Sequence, residues 1–493
     1  MAGMDVDIFP FCIGRAPLAP RGLPQPAVDD VETGIAQTAG DDFDAAVVAI
    51  EADLADMKRV GIAGVQMFDA SIYLPPGPVR YGTDQWHEHV QHAIATADKL
   101  GLEFHLMNTP GWSASGGPWV TPERSMKKLV WSETAATGGG AITLAVPRPK
   151  IEPLKFRTPP AAKMENFFRD IVVLAVPAES TRRTPDWEFK TKLKEMTLSA
   201  APLDPDATGC IPRAQVIDLT ADFDAATGTL RATLPAGSWT ILRFGHTATG
   251  AYVKHGRPES KGLECDKMSA KAAQVQFENY TGRILKEIKT VPGARLAGIN
   301  IDSAETGSQN WTSDFAAQFQ TRRGYDLRRF LPAMAGRVVG SVEQSDRFLT
   351  DVRRTCADLI ADLYFGEFQR LCHANDMTVM AQTGIATPMP IDDIQAKGHI
   401  DIPMCEFWMS QADGTLDCKE TSSAAHVYGL PIVAAEAFTG SPADVTLAKF
   451  KPLADNALAL GVNRFVVLAY VHQPWDDRKP GVTEDRYYLP TQR

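Results

Sequence analysis

What this chain has little of narrows it first. It has no surplus of basic residues: 50 Lys and Arg stand against 60 Asp and Glu, a net charge of −10. A phosphate-binding surface needs clustered cations, so no nucleic-acid partner is expected. No apolar run approaches the roughly 20 residues that cross a bilayer, so no membrane partner is expected either. The opening residues, MAGMDVDIFPF, carry neither the basic nor the apolar stretch of a secretory signal, and the chain as it stands reads as cytoplasmic. There is no CxxC pair. The seven cysteines (Cys12, Cys210, Cys265, Cys356, Cys372, Cys405, Cys418) are scattered and odd in number, which points to small buried thiols rather than a zinc cluster. Internal repeats and low-complexity tracts are missing as well.

What is there is ordinary for a globular protein: 44% hydrophobic and 22% charged residues over 493 positions. That suffices for two or three domains or for one large barrel with insertions. A candidate strand at 6–13 precedes a helical pattern at 43–60 that Gly61 stops. Strand 62–68 precedes helix 83–100, stopped by Gly101, and strand 104–107 follows. From about 133 to 250 the helical period fades, and candidate strands fall at 141–146, 171–176, 214–219, 228–234 and 239–244. Helix 268–288 then leads to strand 296–301. Further strands at 378–381, 400–405, 431–435 and 464–470 alternate with helices at 315–322, 341–375, 392–397, 418–428 and 446–460. The tally predicts an α/β fold, a (β/α)8 TIM-type barrel with an inserted all-β subdomain. Its expected division is 1–132 for strands one to three, 133–260 for the β-rich insertion and 261–493 for strands four to eight.

In a parallel barrel the chemistry sits where strands end, and here the ends are polar. Strand two runs into Asp69, strand three into Asn108 and Trp112, strand four into Asp302, Glu305 and Trp311. Strand five ends at Gln382, strand six at Glu406 and Trp408, strand seven at Glu436. Strand eight is followed by His472, Gln473 and Trp475. The centre of the set is LAGINIDSAETGSQNW at 296–311, a buried-strand run that breaks into two carboxylates. A bland account also exists, with Asp302 capping a helix and Glu305 closing a capping box. Tryptophan faces pack on pyranose rings, Asp, Asn, Gln and His bind hydroxyls, and two carboxyls can flank a glycosidic bond. The acid must keep its proton near neutral pH, which burial or a neighbouring like charge achieves. Carboxylates beyond that pair suit a hard cation, calcium rather than zinc. Asp69 is as well suited to a hydrogen bond inside the barrel as to a hydroxyl ligand. Glu264 and Asp266 are as well placed to pair with Lys267 or Arg257 as to reach the pocket. The β-rich region is expected to shape the cleft.

Longer motifs follow the same order: GVQMFDA at 64–70, HLMNTPGWSASGGPWVTPERSMKKLVWSET at 105–134 and GLECDKMS at 262–269. They continue with DSAETGSQNWTSDF at 302–315, RRGYD at 322–326, PMCEFW at 403–408, SAAHVYGLPIVAAEAFT at 423–439 and GVNRFVVLAYVHQPW at 461–475. Together they resemble glycoside hydrolase family 106, the α-L-rhamnosidases. The resemblance implies an inverting hydrolase that removes terminal α-L-rhamnosyl groups from glycans or glycosides, with calcium at the barrel site. It also implies a periplasmic or secreted setting and, in many members, β-sandwich domains after the barrel. Carried over by motif, Glu305 and Glu436 are the catalytic pair, Glu305 as general acid and Glu436 as the base that activates water, with the two roles exchangeable at this point. Asp302 and Glu406 become the candidate calcium ligands. Asp69, Asn108, Trp112, Trp311, Trp408 and His472 become the candidate sugar contacts. Inversion requires the two carboxyls about 6.5–9.5 Å apart, whereas a retaining glycosidase of another specificity needs about 5–5.5 Å. A non-catalytic carbohydrate-binding relative would keep the tryptophans without turnover. The chain departs from the family pattern at strand five, MAQTGIATPMP, so Gln382 receives no catalytic role. Oligomeric state has no signature in the sequence.

Overall fold

The structure is a computed structural model that describes residues 5–8, 43–70, 79–112, 115–151, 167–193, 208–384, 389–409, 414–440, 445–468 and 470–472. Seven short strands are parallel and mostly buried on both faces, which is why they read as unbroken apolar runs rather than alternating ones. Counted as second to eighth, they are Gly64–Met67, Glu103–Met107, Gly298–Ile301, Thr378–Ala381, Ile402–Trp408, Ala434–Thr439 and Arg464–Val467. Each pairs with the next, and the sheet curls into a half-barrel. The first strand, Asp5–Ile8, lies in parallel register with both edges, Ile8 opposite Val65 on one side and Val467 on the other. Phe68, Met107, Met380, Met404, Ala434 and Val466 fill the concave side as a core of their own. Val65, Met67, Phe104, Leu106, Ile299 and Ile301 face the helices and join the main core.

The helices start and stop for reasons visible in the sequence. Thr83 accepts the Trp86 N–H at 3.3 Å ahead of helix Asp84–Leu100, and Gly101 ends it at φ 66. Ser341 caps Val342–Ile360 through the Gln344 N–H at 3.1 Å. Two patterns resolve differently. The expected helix 268–288 is two helices, Ala270–Asn279 and Thr281–Ile288, broken at Tyr280, whose ring stacks on Trp119 and Tyr81. The expected helix 341–375 passes through one widened turn at Ala361–Phe365 before resuming as Gly366–His373. Strands six and seven run past their expected ends to Trp408 and Thr439. Their inward-facing glutamates look like strand ends only because an acid interrupts the apolar pattern.

Between the third and fourth parallel strands lies an antiparallel sheet. It is built on Lys127–Ala145, Arg169–Pro177 and Thr229–Ala248, with Ile217–Asp218 and Phe223–Asp224 along its edges. The candidate strands 228–234 and 239–244 form one continuous strand, because the Pro-Ala-Gly segment between them meets Gly138 at a bulge. The expected strand 214–219 shortens to Ile217–Asp218 behind a single tight turn. Buried ion pairs fix this sheet in place. Lys127 Nζ lies 2.7 Å from Asp266 Oδ2, and Arg243 holds Asp170 bidentately at 2.6 and 2.9 Å. Asp266 also accepts bonds from Gln309 Nε2 at 2.8 Å and Thr312 Oγ1 at 2.7 Å. The loop after strand four is thereby tied to the antiparallel sheet.

Candidate active site

Four carboxyls converge at the C-terminal ends of strands four, six and seven. Glu406 and Glu436 are direct neighbours in the register of the last two. The charges of Asp302 and Glu305 both act on Glu406, and that of Glu305 acts on Glu436. Burial, with like charge crowding in, holds protons on three of them, Asp302, Glu406 and Glu436. Asp302 is pushed well above the carboxylate range by burial and then by Glu436. Glu406 is pushed up to about 10 by burial, then by Glu436, Asp302 and Glu305. Glu436 is pushed up to about 7 by burial, against two hydrogen bonds that favour its carboxylate. Those bonds come from Thr439 Oγ1 to Oε1 and from Gln382 Nε2 to Oε2, each at 2.8 Å. Thr439 reaches back three residues because the chain kinks at Phe438, φ 64, where the register with strand six slips at Phe407 and Trp408. A stack of Phe438 on Phe450, centroids 4.3 Å apart, holds that kink. Such bulges commonly re-aim a side chain at a site.

Glu305 is held from three directions. Ser303 Oγ donates to Oε1 and Trp112 Nε1 to Oε2, both at 3.4 Å. Lys254 forms an ion pair with Oε2. The Ser303 N–H donates to Asp302 Oδ1 at 2.7 Å, and the Glu305 N–H donates to the Ser303 carbonyl at 2.9 Å. The segment is therefore a tight turn, and the next helix begins only at Phe315. Asp302 caps no helix here, which removes the bland account.

Lys254 was not legible beforehand. It comes from the turn that returns from antiparallel strand Thr229–Ala248, and nothing in YVKHGRPESKG distinguishes it from any charged loop. The turn is pressed against the loop after strand three. The Trp112 N–H donates to the Lys254 carbonyl at 3.0 Å. A Cβ on Gly111 would fall 2.6 Å from that oxygen and 2.4 Å from Val253 Cγ1, so only glycine fits.

The candidate sugar contacts divide into two groups. Trp112 stands at the rim beside Glu305, its ring 4.9 Å from His255 and 6.4 Å from Phe68. Trp408 is 37% exposed at the end of strand six and lies against Gly440. Both remain at least partly exposed. Trp311 does not: it is 2% exposed, in the core against Phe315 at 4.7 Å. His472 is buried with Nδ1 2.6 Å from Asp53 Oδ2, and Tyr470 OH donates to the other oxygen at 2.7 Å. These bonds tie the segment after strand eight to helix Phe43–Arg59. Asp69 is buried between Arg257 Nε at 2.8 Å and Trp86 Nε1 at 3.0 Å. Of its two readings, the interior hydrogen bond is the one the structure places. Asn108 is buried, its backbone bonded to Asn300 and to Gln276 Nε2, each at 2.8 Å. Glu264 pairs with Lys267 and Asp266 with Lys127. Gln473 and Trp475 lie outside the described residues.

Asp302 and Glu406 bring oxygen donors within a crowd of carboxyls, the donor type a hard divalent cation takes. Among the described residues no three His, Cys, Asp or Glu are grouped to hold one. Any ion there would have to complete its shell with amide or hydroxyl oxygens, carbonyls and water.

Residues 46–488 match the family model described as alpha-L-rhamnosidase. This chain belongs to glycoside hydrolase family 106. A curated relative in *Formosa agariphila*, named putative beta-glucuronidase, is 39% identical over 435 residues, 87% of this chain and 36% of its own length. The solved structure of a rhamnosidase from *Novosphingobium* sp. PP1Y superposes with a TM-score of 0.78 at 29% identity, covering 89% of this chain and 55% of the other. The chain thus spans about a third of the curated relative and about half of the solved rhamnosidase.

Proposed function

We propose that this chain is a glycoside hydrolase that removes terminal α-L-rhamnosyl groups from glycans or glycosides with inversion, on a (β/α)8 barrel into which the antiparallel sheet is inserted as a subdomain. The observation that carries the reading is the meeting of Glu305 and Glu436, remote in sequence, at one rim where the charge of Glu305 acts on Glu436. Glu436 is the base. Gln382 and Thr439 fix both its oxygens, and burial makes it a far stronger base than an ordinary carboxylate, matched to neutral pH. Glu305 is the acid. As the bond between the anomeric carbon and the glycosidic oxygen breaks, its proton passes to that oxygen. Water adds to the anomeric carbon from the opposite face and gives its proton to Glu436. Trp112 and Trp408 supply the faces on which the sugar rests. Asp302 and Glu406 would hold a calcium ion, which when bound neutralises the crowded charge and orients hydroxyls.

The test is release of p-nitrophenol from aryl α-L-rhamnoside, with aryl β-D-glucuronide as a control because of the name the curated relative carries. Glu305→Gln and Glu436→Gln should each lower kcat by roughly 10²–10⁴-fold while remaining folded. Azide should restore turnover only to Glu436→Gln, since a small anion replaces the attacking water. Rescue of Glu305→Gln instead would exchange the two roles, and near-normal rates in either variant would remove it from the pair. Cleavage of the glucuronide with the rhamnoside untouched would replace the substrate. Unchanged turnover after chelation would remove the calcium.

A further inference from the structure

The groups so far given chemistry leave Lys254 unused, although its ammonium sits against the proposed acid. We propose that Lys254 is a positioning residue for Glu305, holding the carboxyl against Trp112 so that it is aimed at the glycosidic oxygen. This rests on Glu305 being the general acid.

Three observations carry it. The pair is largely shielded, the side chains being 20% and 25% exposed, so solvent screens it less than a surface ion pair. The backbone of Lys254 is also fixed. Its carbonyl accepts the Trp112 N–H at 3.0 Å, and the Val253 N–H donates to Gly262 at 3.0 Å. Three residues on, Arg257 is anchored on buried Asp69 at 2.8 Å. A lysine so rooted aims its head at one place. Finally, the hydrogen bonds from Ser303 and Trp112 to Glu305 are long, both at 3.4 Å, near the limit of a useful hydrogen bond, whereas Lys254 makes a close ion pair. The lysine also lies 6.0 Å from the Trp112 ring centroid, so one side chain sets the acid relative to a proposed sugar platform. The antiparallel sheet, whose returning strand delivers Lys254, thereby contributes to catalysis as well as to the shape of the cleft.

The test compares two leaving groups. An alkyl α-L-rhamnoside needs a proton from Glu305 to depart, and 2,4-dinitrophenyl α-L-rhamnoside does not. Lys254→Met should lose roughly 10–100-fold in kcat on the alkyl substrate yet stay within about threefold on the activated one, with KM little changed. Lys254→Arg should recover most of the loss, and Lys254→Gln serves as a second neutral variant if Met unfolds the turn. Equal losses on both substrates, or a change confined to KM, overturn the proposal. An active wild type with a wild-type-like Lys254→Met overturns it alone, whereas a wild type inert on both rhamnosides overturns the underlying reading of the site.

Discussion

At Glu436, burial and hydrogen bonding pull in opposite directions, and burial wins: the carboxyl is pushed up to about 7 although Thr439 and Gln382 both favour its charged form. A general base must be ionised, so kcat/KM should rise with pH through an acid limb near 7. Gln382→Leu removes a donor to the carboxylate and should move that limb to higher pH, measurable from the pH profile. A limb near the ordinary carboxylate range, or one that stays put in the variant, would contradict the assignment. Residue by residue, the acids were the legible part. Asp302, Glu305, Glu406 and Glu436 stand out because a carboxyl at the end of a buried apolar run has few structural reasons to be there. The fates of Asp69, Trp311 and His472 were not legible. Each is claimed by a group distant in the chain or by the core (Arg257, Phe315, Asp53), and sequence does not reveal such partners. Gln382, set aside because it departs from the family pattern, proves to bond Glu436 directly.

At the scale of elements, the turn at 251–262 has the largest effect on the site and the faintest signal in the sequence. It brings Lys254 to Glu305, His255 to Trp112 and Arg257 to Asp69. Arg257 and Asp69 are both buried, so removing one leaves the other's charge without its partner. Arg257→Met should cost about 3–5 kcal/mol in chemical denaturation. A loss below about 1 kcal/mol would mean the pair behaves as a surface ion pair and does not anchor the turn. The regular elements were far easier to read. Helix 83–100 was evident from Thr83 and Gly101, and strand 378–381 from its flanks. The misread ends of strands six and seven and the split of 228–234 from 239–244 share one cause: an inward-facing acid near a strand's end, or the Pro-Ala-Gly segment inside a long antiparallel pair, imitates a terminus. The break at Tyr280 follows from aromatic stacking with residues far away in sequence, which local periodicity cannot show.

At the scale of the whole molecule, the parallel strands set the acids at one rim, and the turn leaving the antiparallel sheet reaches across to hold one of them, Glu305. The buried hub at Asp266, bonded to Lys127, Gln309 and Thr312, couples the sheet to the loop that carries Glu305. The alternation of strands and helices announced the parallel sheet, and the loss of helical period announced the antiparallel one. Their contact was hidden because ion pairs such as Lys127 with Asp266 join residues that look like unrelated surface charges in the sequence. The account of this assembly comes down to an acid and a base on opposite faces of a rhamnosyl ring, and the anomer released reports on it directly. Proton NMR of an aryl α-L-rhamnoside digest, read before mutarotation, should show β-L-rhamnose first. First appearance of α-L-rhamnose, or no rhamnose at all, would contradict it.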